Sequence, residues 1–161
     1  VHCEAYGWVR RWAGPRRFVL DIGSANINGT VRPLFAGSAT YIGIDIAAGD
    51  GVDVVADGRT YNPPEAPDLI VCCEVLEHCE QPGILVSHAW EVLAPGGTLI
   101  VTCAGVGRAV HGSDGGPIQK GETYTTVFPC DLAVWLETAD KLEIVYDRER
   151  GDIFAAARKC E

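Results

Sequence analysis

The sequence predicts an α/β fold: a mostly parallel sheet, helices on both faces, and an antiparallel hairpin at the carboxyl end. Three observations predict it. Short, continuous apolar runs recur along the chain, as they do in strands buried on both faces. Segments with helical apolar spacing lie between and after these runs. The last two apolar runs flank a polar, glycine-containing turn, the pattern of a hairpin.

The elements follow in chain order. Tyr6, Val9 and Ala13 share one stripe of an amphipathic helix within residues 1–16, with Trp8 and Trp12 on the neighbouring stripe. Phe18 to Ile22 is the first strand and ends in a glycine-containing turn. Tyr41 to Ile46, Val52 to Ala56, Asp68 to Cys73 and Thr98 to Cys103 are the next four. Leu85, Val86, Ala89, Trp90 and Leu93 recur at helical spacing, and Pro95-Gly96-Gly97 ends that helix. Residues 104–127 are glycine-rich and weakly periodic; loops of this length are usually functional. Pro129 suits the first turn of a helix carrying Leu132, Trp135, Leu136 and Ala139. Leu142 to Asp147 and Ile153 to Ala157 form the hairpin.

At 161 residues, with no internal repeat or linker, the chain reads as one domain, 1–161. The net charge of −9 argues against long DNA or RNA as partner, because a phosphate backbone calls for a basic face. Arg10, Arg11, Arg16 and Arg17 are the basic cluster that exists. A small molecule or a nucleotide remains open as substrate, and so does a homo- or hetero-oligomeric partner. No run approaches the roughly 18 apolar residues of a membrane span, and no basic and apolar leader is visible. Position 1 is not methionine, so the start reads as incomplete. The seven cysteines are odd in number and form no C-x-x-C pair. They read as reduced thiols of a cytoplasmic protein. Cys73, His78 and Cys79 match no usual zinc spacing.

In open α/β sheets, ligands bind outside the carboxyl ends of the strands. The first strand runs into Asp21-Ile22-Gly23-Ser24-Ala25-Asn26-Ile27-Asn28-Gly29, the second ends at Asp45-Ile46 and the third at Asp57-Gly58. The fourth leads through Cys73 into Glu74-Val75-Leu76-Glu77-His78. The G-x-G-x-x-G of dinucleotide-binding folds is missing, since Ser24 and Ala25 follow Gly23. Asn62-Pro63-Pro64 precedes the fourth strand and reads as a loop.

Taken in order, FVLDIGSANING, YIGIDI, VVADG, DLIVCCEVLEH and LAPGGTLIVT resemble class I S-adenosylmethionine-dependent methyltransferases. The resemblance is greatest to small bacterial and bacteriophage members that share Glu-Val-Leu-Glu-His, and it covers nearly the whole chain. It implies a three-layer Rossmann-like fold with a seven-stranded sheet of order 3-2-1-4-5-7-6. It also implies S-adenosylmethionine as methyl donor and S-adenosylhomocysteine as product. It carries cofactor binding onto Asp21, Gly23, Ser24, Asn28, Gly29, Asp45, Ile46, Asp57, Gly58, Cys73 and Glu74. In this assignment Gly23 lets backbone approach the methionine moiety, and Asp21 orients that turn and accepts from the amino group, directly or through water. Asp45 takes the ribose diol, and Asp57 takes the adenine amino group.

Glu74, Glu77 and His78 stand at i, i+3, i+4, so a helical turn would put all three on one face. His111, Asp114 and Tyr124 lie in the long loop, which is placed to cover the same pocket. Glu77, His78 and His111 are the candidate catalytic residues, with either histidine as general base and Glu77 orienting it. Glu74, Glu77, His78 and His111 are the candidate ligands of a divalent metal. Small-RNA terminal 2′-O-methyltransferases and some quinone O-methyltransferases share a similar Glu-x-x-Glu-His. This chain has Gly121-Glu122-Thr123-Tyr124 where the later histidine is expected, which makes metal the weaker reading. A structural alternative makes Leu76 to His78 a turn, with His78 bonded to backbone. His88 is expected to be exposed in mid-helix, and His2 is uninformative. The expected function is methyl transfer, with the acceptor recognised by residues 1–16 as a lid, by loop 104–127, or by a partner subunit. The alternatives are a non-catalytic S-adenosylmethionine-binding subunit and a metal-dependent O-methyltransferase.

Overall fold

The computed structural model describes all 161 residues. Seven strands form one sheet in the order β3-β2-β1-β4-β5-β7-β6. β1 (Phe18–Ile22) lies centrally between β2 (Thr40–Asp45) and β4 (Leu69–Cys73), parallel to both. β3 (Val54–Val55) extends the sheet beyond β2, and β5 (Thr98–Ala104) extends it beyond β4. β7 (Asp152–Arg158) runs antiparallel to β5 and to β6 (Lys141–Asp147), which closes the edge as a hairpin. The expected fold class and strand order are those observed.

Strand alternation explains why the apolar runs are continuous. Leu20, Ile22, Ile70, Cys72, Leu99 and Val101 face one core, packed under α2 (Pro82–Val92) and α3 (Pro129–Trp135). Val19, Leu69, Val71, Cys73 and Ile100 face the other, packed with Val9, Val31 and Phe35. Burial of such side chains supplies roughly 25 cal/mol for each Å² of apolar surface removed from water.

The second face is covered thinly. Its helix, α1 (Cys3–Val9), continues as one 3₁₀ turn, Arg10–Trp12, and a second 3₁₀ turn, Arg32–Phe35, does the rest. No α-helix separates β1 from β2, β2 from β3, or β3 from β4, so the expected alternation of strand and helix fails there. The segment after β1 holds Pro33, Gly29 and Gly37 and no apolar stripe at helical spacing, and a 3₁₀ turn is what such a sequence sustains. β3 is also shorter than expected, pairing only Val54 and Val55 with Ile44 and Asp45.

Local bonds fix the helices. Lys159 Nζ donates to the carbonyls of Trp90, Glu91 and Leu93 at 2.8, 3.1 and 2.8 Å, placing a cation on the open carboxyl end of α2. In α3 the Asp131 carboxylate accepts from the Phe128 N–H at 2.9 Å. Trp8 donates from Nε1 to the Ala155 carbonyl at 3.3 Å and packs 5.7 Å from the Phe154 ring, which ties α1 to β7. No helix is long and apolar enough to cross a membrane. All seven cysteines are free thiols.

Candidate active site

The strand ends open onto one cavity of about 990 Å³. Gly23, Asn28, Asp45, Ile46, Asp57 and Gly58 line it, and so do Cys73, Glu74, His78 and His111. Asp21, Ser24, Gly29 and Glu77 do not.

The turn after β1 is tied across the sheet. The Gly23 and Ser24 N–H groups both donate to the Ile44 carbonyl, at 2.8 and 3.0 Å. Gly23 has φ +77°, and a Cβ on it would lie 2.1 Å from Val75 Cγ2. Its glycine character is therefore demanded by the neighbouring turn after β4, as well as by any ligand. Ser24 is buried beneath β2, where Gly43 makes room: a Cβ there would meet Ser24 Oγ at 2.6 Å.

Asp21 stands behind the cavity wall. It lies on the Val19 side of β1, away from the cavity, and its Oδ2 accepts from the Tyr41 hydroxyl at 2.6 Å. Burial pushes its carboxyl up to about 6, opposed by the Tyr41 hydrogen bond and the Arg32 charge. Arg32 stacks on the Tyr41 ring at 4.3 Å. Asp21 braces β1 against β2 through Tyr41 and does not itself line the cavity. Gly29 also lies outside, at φ +106° in the turn.

Asp45 accepts from the Ala25 N–H at 3.3 Å and the Ala47 N–H at 3.1 Å, one on each oxygen, and so presents a fixed carboxylate. Asp57 is more heavily engaged. Arg59 donates to both of its oxygens, from Nε at 3.0 and 3.1 Å and from Nη2 at 2.7 Å, and holds the carboxyl below its usual range. Arg59 lines the cavity and was missed by the sequence reading; a base two residues after a strand-end acid is the signal that would have found it.

The corner after β4 is set by Glu74, the one non-glycine residue with positive φ, at 57°. Such a backbone costs on the order of 1–3 kcal/mol and is found where surroundings over-determine it. Here the Glu74 N–H donates to the Thr102 carbonyl at 2.8 Å, and Thr102 Oγ1 donates to Glu74 Oε1 at 2.7 Å. The chain leaves Glu74 into a 3₁₀ turn, Leu76–His78. Glu74 therefore stands outside that turn, and the expected common face of Glu74, Glu77 and His78 does not form.

Glu77 points inward and is fully buried. Its Oε1 accepts from the Ala104 N–H at 3.1 Å, its carbonyl accepts from the Thr125 N–H at 2.6 Å, and its Oε2 has no partner. Burial, reinforced by the Glu74 charge, pushes its carboxyl up to about 8, so it is largely protonated at neutral pH. His78 is half-buried and its Nδ1 is unpartnered. Burial, with the neighbouring His111, holds it below the usual imidazole range. The rings of His78, His111 and Tyr124 meet edge-on with centroids 5.1 to 5.8 Å apart. Glu77, His78 and His111 each offer a ligand atom within 4.8 Å of the others; Glu74, the fourth expected metal ligand, is not in that group.

The 104–127 loop forms a wall of the cavity. Gly105 bridges Val127 at its base, Thr125 Oγ1 donates to the Cys79 carbonyl at 3.0 Å, and Asn28 Nδ2 donates to the Asp114 carbonyl at 3.2 Å. His2, which the sequence left uninformative, is in the site: its Nε2 lies 3.2 Å from Glu74 Oε2. Nothing in the local sequence signals a contact so distant along the chain. His88 is not simply exposed, because its Nε2 lies 2.8 Å from the Tyr61 carbonyl and ties α2 to the loop after β3.

A family model described as a methyltransferase domain matches residues 9–119. The chain belongs to this family. Among curated relatives of this methyltransferase domain, a ubiquinone biosynthesis O-methyltransferase of Xanthomonas campestris pv. campestris (strain B100) is 34% identical over 86 residues. That match covers 48% of this chain and 36% of the relative, so the domain spans little more than a third of the curated relatives it matches. Among solved structures, the N-methyltransferase NodS from Bradyrhizobium japonicum WM9 in complex with S-adenosyl-L-homocysteine has TM-score 0.70 at 18% identity, covering 98% of this chain and 87% of that one. A 1,6-didemethyltoxoflavin-N1-methyltransferase of Burkholderia thailandensis has TM-score 0.68 at 15% identity, covering 99% and 78%. These likenesses establish the methyltransferase fold.

Proposed function

We propose that this methyltransferase domain binds S-adenosylmethionine across the carboxyl ends of β1 to β4 and transfers its methyl group to a small-molecule or nucleotide acceptor. The observation that carries the reading is one cavity lined in strand order by Gly23, Asp45, Asp57, Gly58 and Cys73, in a chain of this family. Its volume suits a ligand of that size.

When bound, S-adenosylmethionine supplies an electrophilic methyl group on a sulfonium. The chain's own residues do the rest. Asp45, fixed by Ala25 and Ala47, keeps lone pairs for a ribose diol. The Gly23 turn receives the methionine end, and Asp57, shared with Arg59, receives the adenine edge. Asp45, Asp50, Asp57, Glu74, Glu80 and Glu122 outnumber Arg59 and Arg108 on the cavity wall. An acidic wall favours a cationic sulfonium over the neutral thioether product, which assists product release. His78, neutral at physiological pH, serves as the base at the acceptor end, with the protonated Glu77 beside it.

A divalent cation held by Glu77, His78 and His111 is the second reading, supporting O-methylation. Two buried atoms without partners, Glu77 Oε2 and His78 Nδ1, favour it. One carboxylate and two imidazoles are a donor set that suits zinc, iron or manganese. We further assign the chain, on Glu74 to His78, to the small bacterial and bacteriophage members of the family. Residues 1–16 act as a lid and 104–127 as the substrate loop of a single domain working in the cytoplasm.

Calorimetry with S-adenosylmethionine and S-adenosylhomocysteine tests the main reading, with micromolar binding of both expected. No heat and no thermal shift at millimolar ligand would overturn it. Binding with no S-adenosylhomocysteine formed from any acceptor extract would instead favour a non-catalytic subunit. Activity restored by manganese after chelation would favour the metal reading.

A further inference from the structure

At the Glu74 end of the cavity, the His2 side chain fills a recess among carboxylates from three separate elements. Glu74 follows β4, Asp152 begins β7 and Glu4 sits in α1. Asp152 is 1% exposed; its Oδ1 takes Arg108, and its Oδ2 has no hydrogen-bond partner. That free oxygen lies 3.8 Å from His2 Nε2, which is also 3.2 Å from Glu74 Oε2. His2 Nδ1 lies 3.0 Å from Glu4 Oε2, while Arg150 holds the other Glu4 oxygen at 3.2 Å. His2 Nε2 sits between the half-buried Glu74 and the buried Asp152 carboxylates without a well-aligned hydrogen bond to either. Glu74, with Glu4 and Asp152, raises the imidazole above its usual range against the opposing effect of burial, which favours the cationic form of His2.

A buried carboxylate oxygen with no donor is costly, and a recess with ionised Glu74 needs a counter-charge. His2 supplies the charge but fits the hydrogen-bonding groups poorly. We propose that this recess recognises a protonatable nitrogen, an amine or imidazole, as the acceptor of methyl transfer, and that His2 occupies it in the acceptor's absence. The assignment rests on the proposed donor site, which leaves the Glu74 end of the cavity for the acceptor.

The chemistry discriminates between nitrogen and oxygen. A phenol becomes a good nucleophile by turning anionic, which Glu74 and Asp152 oppose. An ammonium is attracted, and before reacting it gives one proton to solvent or to the neutral His78 that serves as base. The nitrogen lone pair then forms the N–C bond while the C–S bond breaks, its electron pair staying on sulfur. A neutral thioether and a methylated ammonium result, and the ammonium loses its extra proton to solvent.

Calorimetry of the whole chain with histamine and with catechol as probes, each with and without S-adenosylhomocysteine, tests the proposal. Histamine is expected to bind and catechol not. Glu74→Gln should weaken histamine by about tenfold, the scale of one charge-assisted hydrogen bond, with melting checked to confirm the fold. His2→Ala should strengthen histamine by about fivefold or more, because the occupant is removed. Catechol binding without histamine binding, unchanged histamine affinity in Glu74→Gln, or weaker histamine binding in His2→Ala would each overturn it. Histamine binding with no affinity for S-adenosylhomocysteine would support the recess while removing the donor reading.

Discussion

Gly23 and Val75 approach so closely that any Cβ on Gly23 would come within 2.1 Å of Val75 Cγ2. The turns after β1 and β4 are thus packed against each other at the floor of the cavity. Gly23→Ala must strain a left-handed backbone and displace Val75, at a cost of about 2–4 kcal/mol. Thermal melting should show this loss, and Gly23→Ala with Val75→Ala should recover only the steric part. A single variant as stable as wild type would contradict the packing.

Asp45 should dominate the ribose end of the proposed donor site. Asp45→Ala is expected to weaken S-adenosylmethionine by about 1.5–3 kcal/mol, the scale of a charged hydrogen-bonding group. Asp45→Asn keeps one acceptor for Ala25 or Ala47 and should lose less. Calorimetry distinguishes the two, and wild-type affinity in Asp45→Ala would remove the ribose assignment.

Asp21 makes stability depend on pH. Its folded pKa of about 6 lies above its unfolded value, so the folded state holds a proton that the unfolded state has released. This contribution favours folding at low pH and is lost as pH rises between about 4 and about 6. Asp21→Asn keeps an acceptor for Tyr41 and should flatten that part of the profile. Denaturant midpoints measured across the window check it; identical slopes in both proteins would refute the burial argument.

Lys159 joins the last residues of the chain to α2. Replacing it with Met keeps the aliphatic stem and removes the charge from three carbonyls. The expected loss is about 1–2 kcal/mol, read as a lower denaturation midpoint.

Most of the sheet was legible because strands buried on both faces leave continuous apolar runs with polar ends. The missing helix after β1 was legible in part, through Pro33 and the absence of an apolar stripe. The place of Asp21 was not legible for a physical reason: both faces of β1 are covered, so alternation alone does not say which face turns toward the cavity. The Glu74, Glu77 and His78 spacing misled because a glutamate at φ +57° has no sequence signature, and one left-handed residue breaks helical phase. His2 beside Glu74 and Arg108 beside Asp152 are pairings across long sequence separations, invisible to local pattern.

Glu77 grips both ends of the 104–127 loop, Ala104 through its carboxyl oxygen and Thr125 through its carbonyl. One buried residue thus clasps the loop like the neck of a purse. The chain between those two points reaches back to the strand ends through Arg108 on Asp152, His111 beside His78 and the Asp114 carbonyl on Asn28. Loss of the Glu77 carboxyl would therefore release the Ala104 end of the span, while the Thr125 end, held by backbone alone, would keep its anchor.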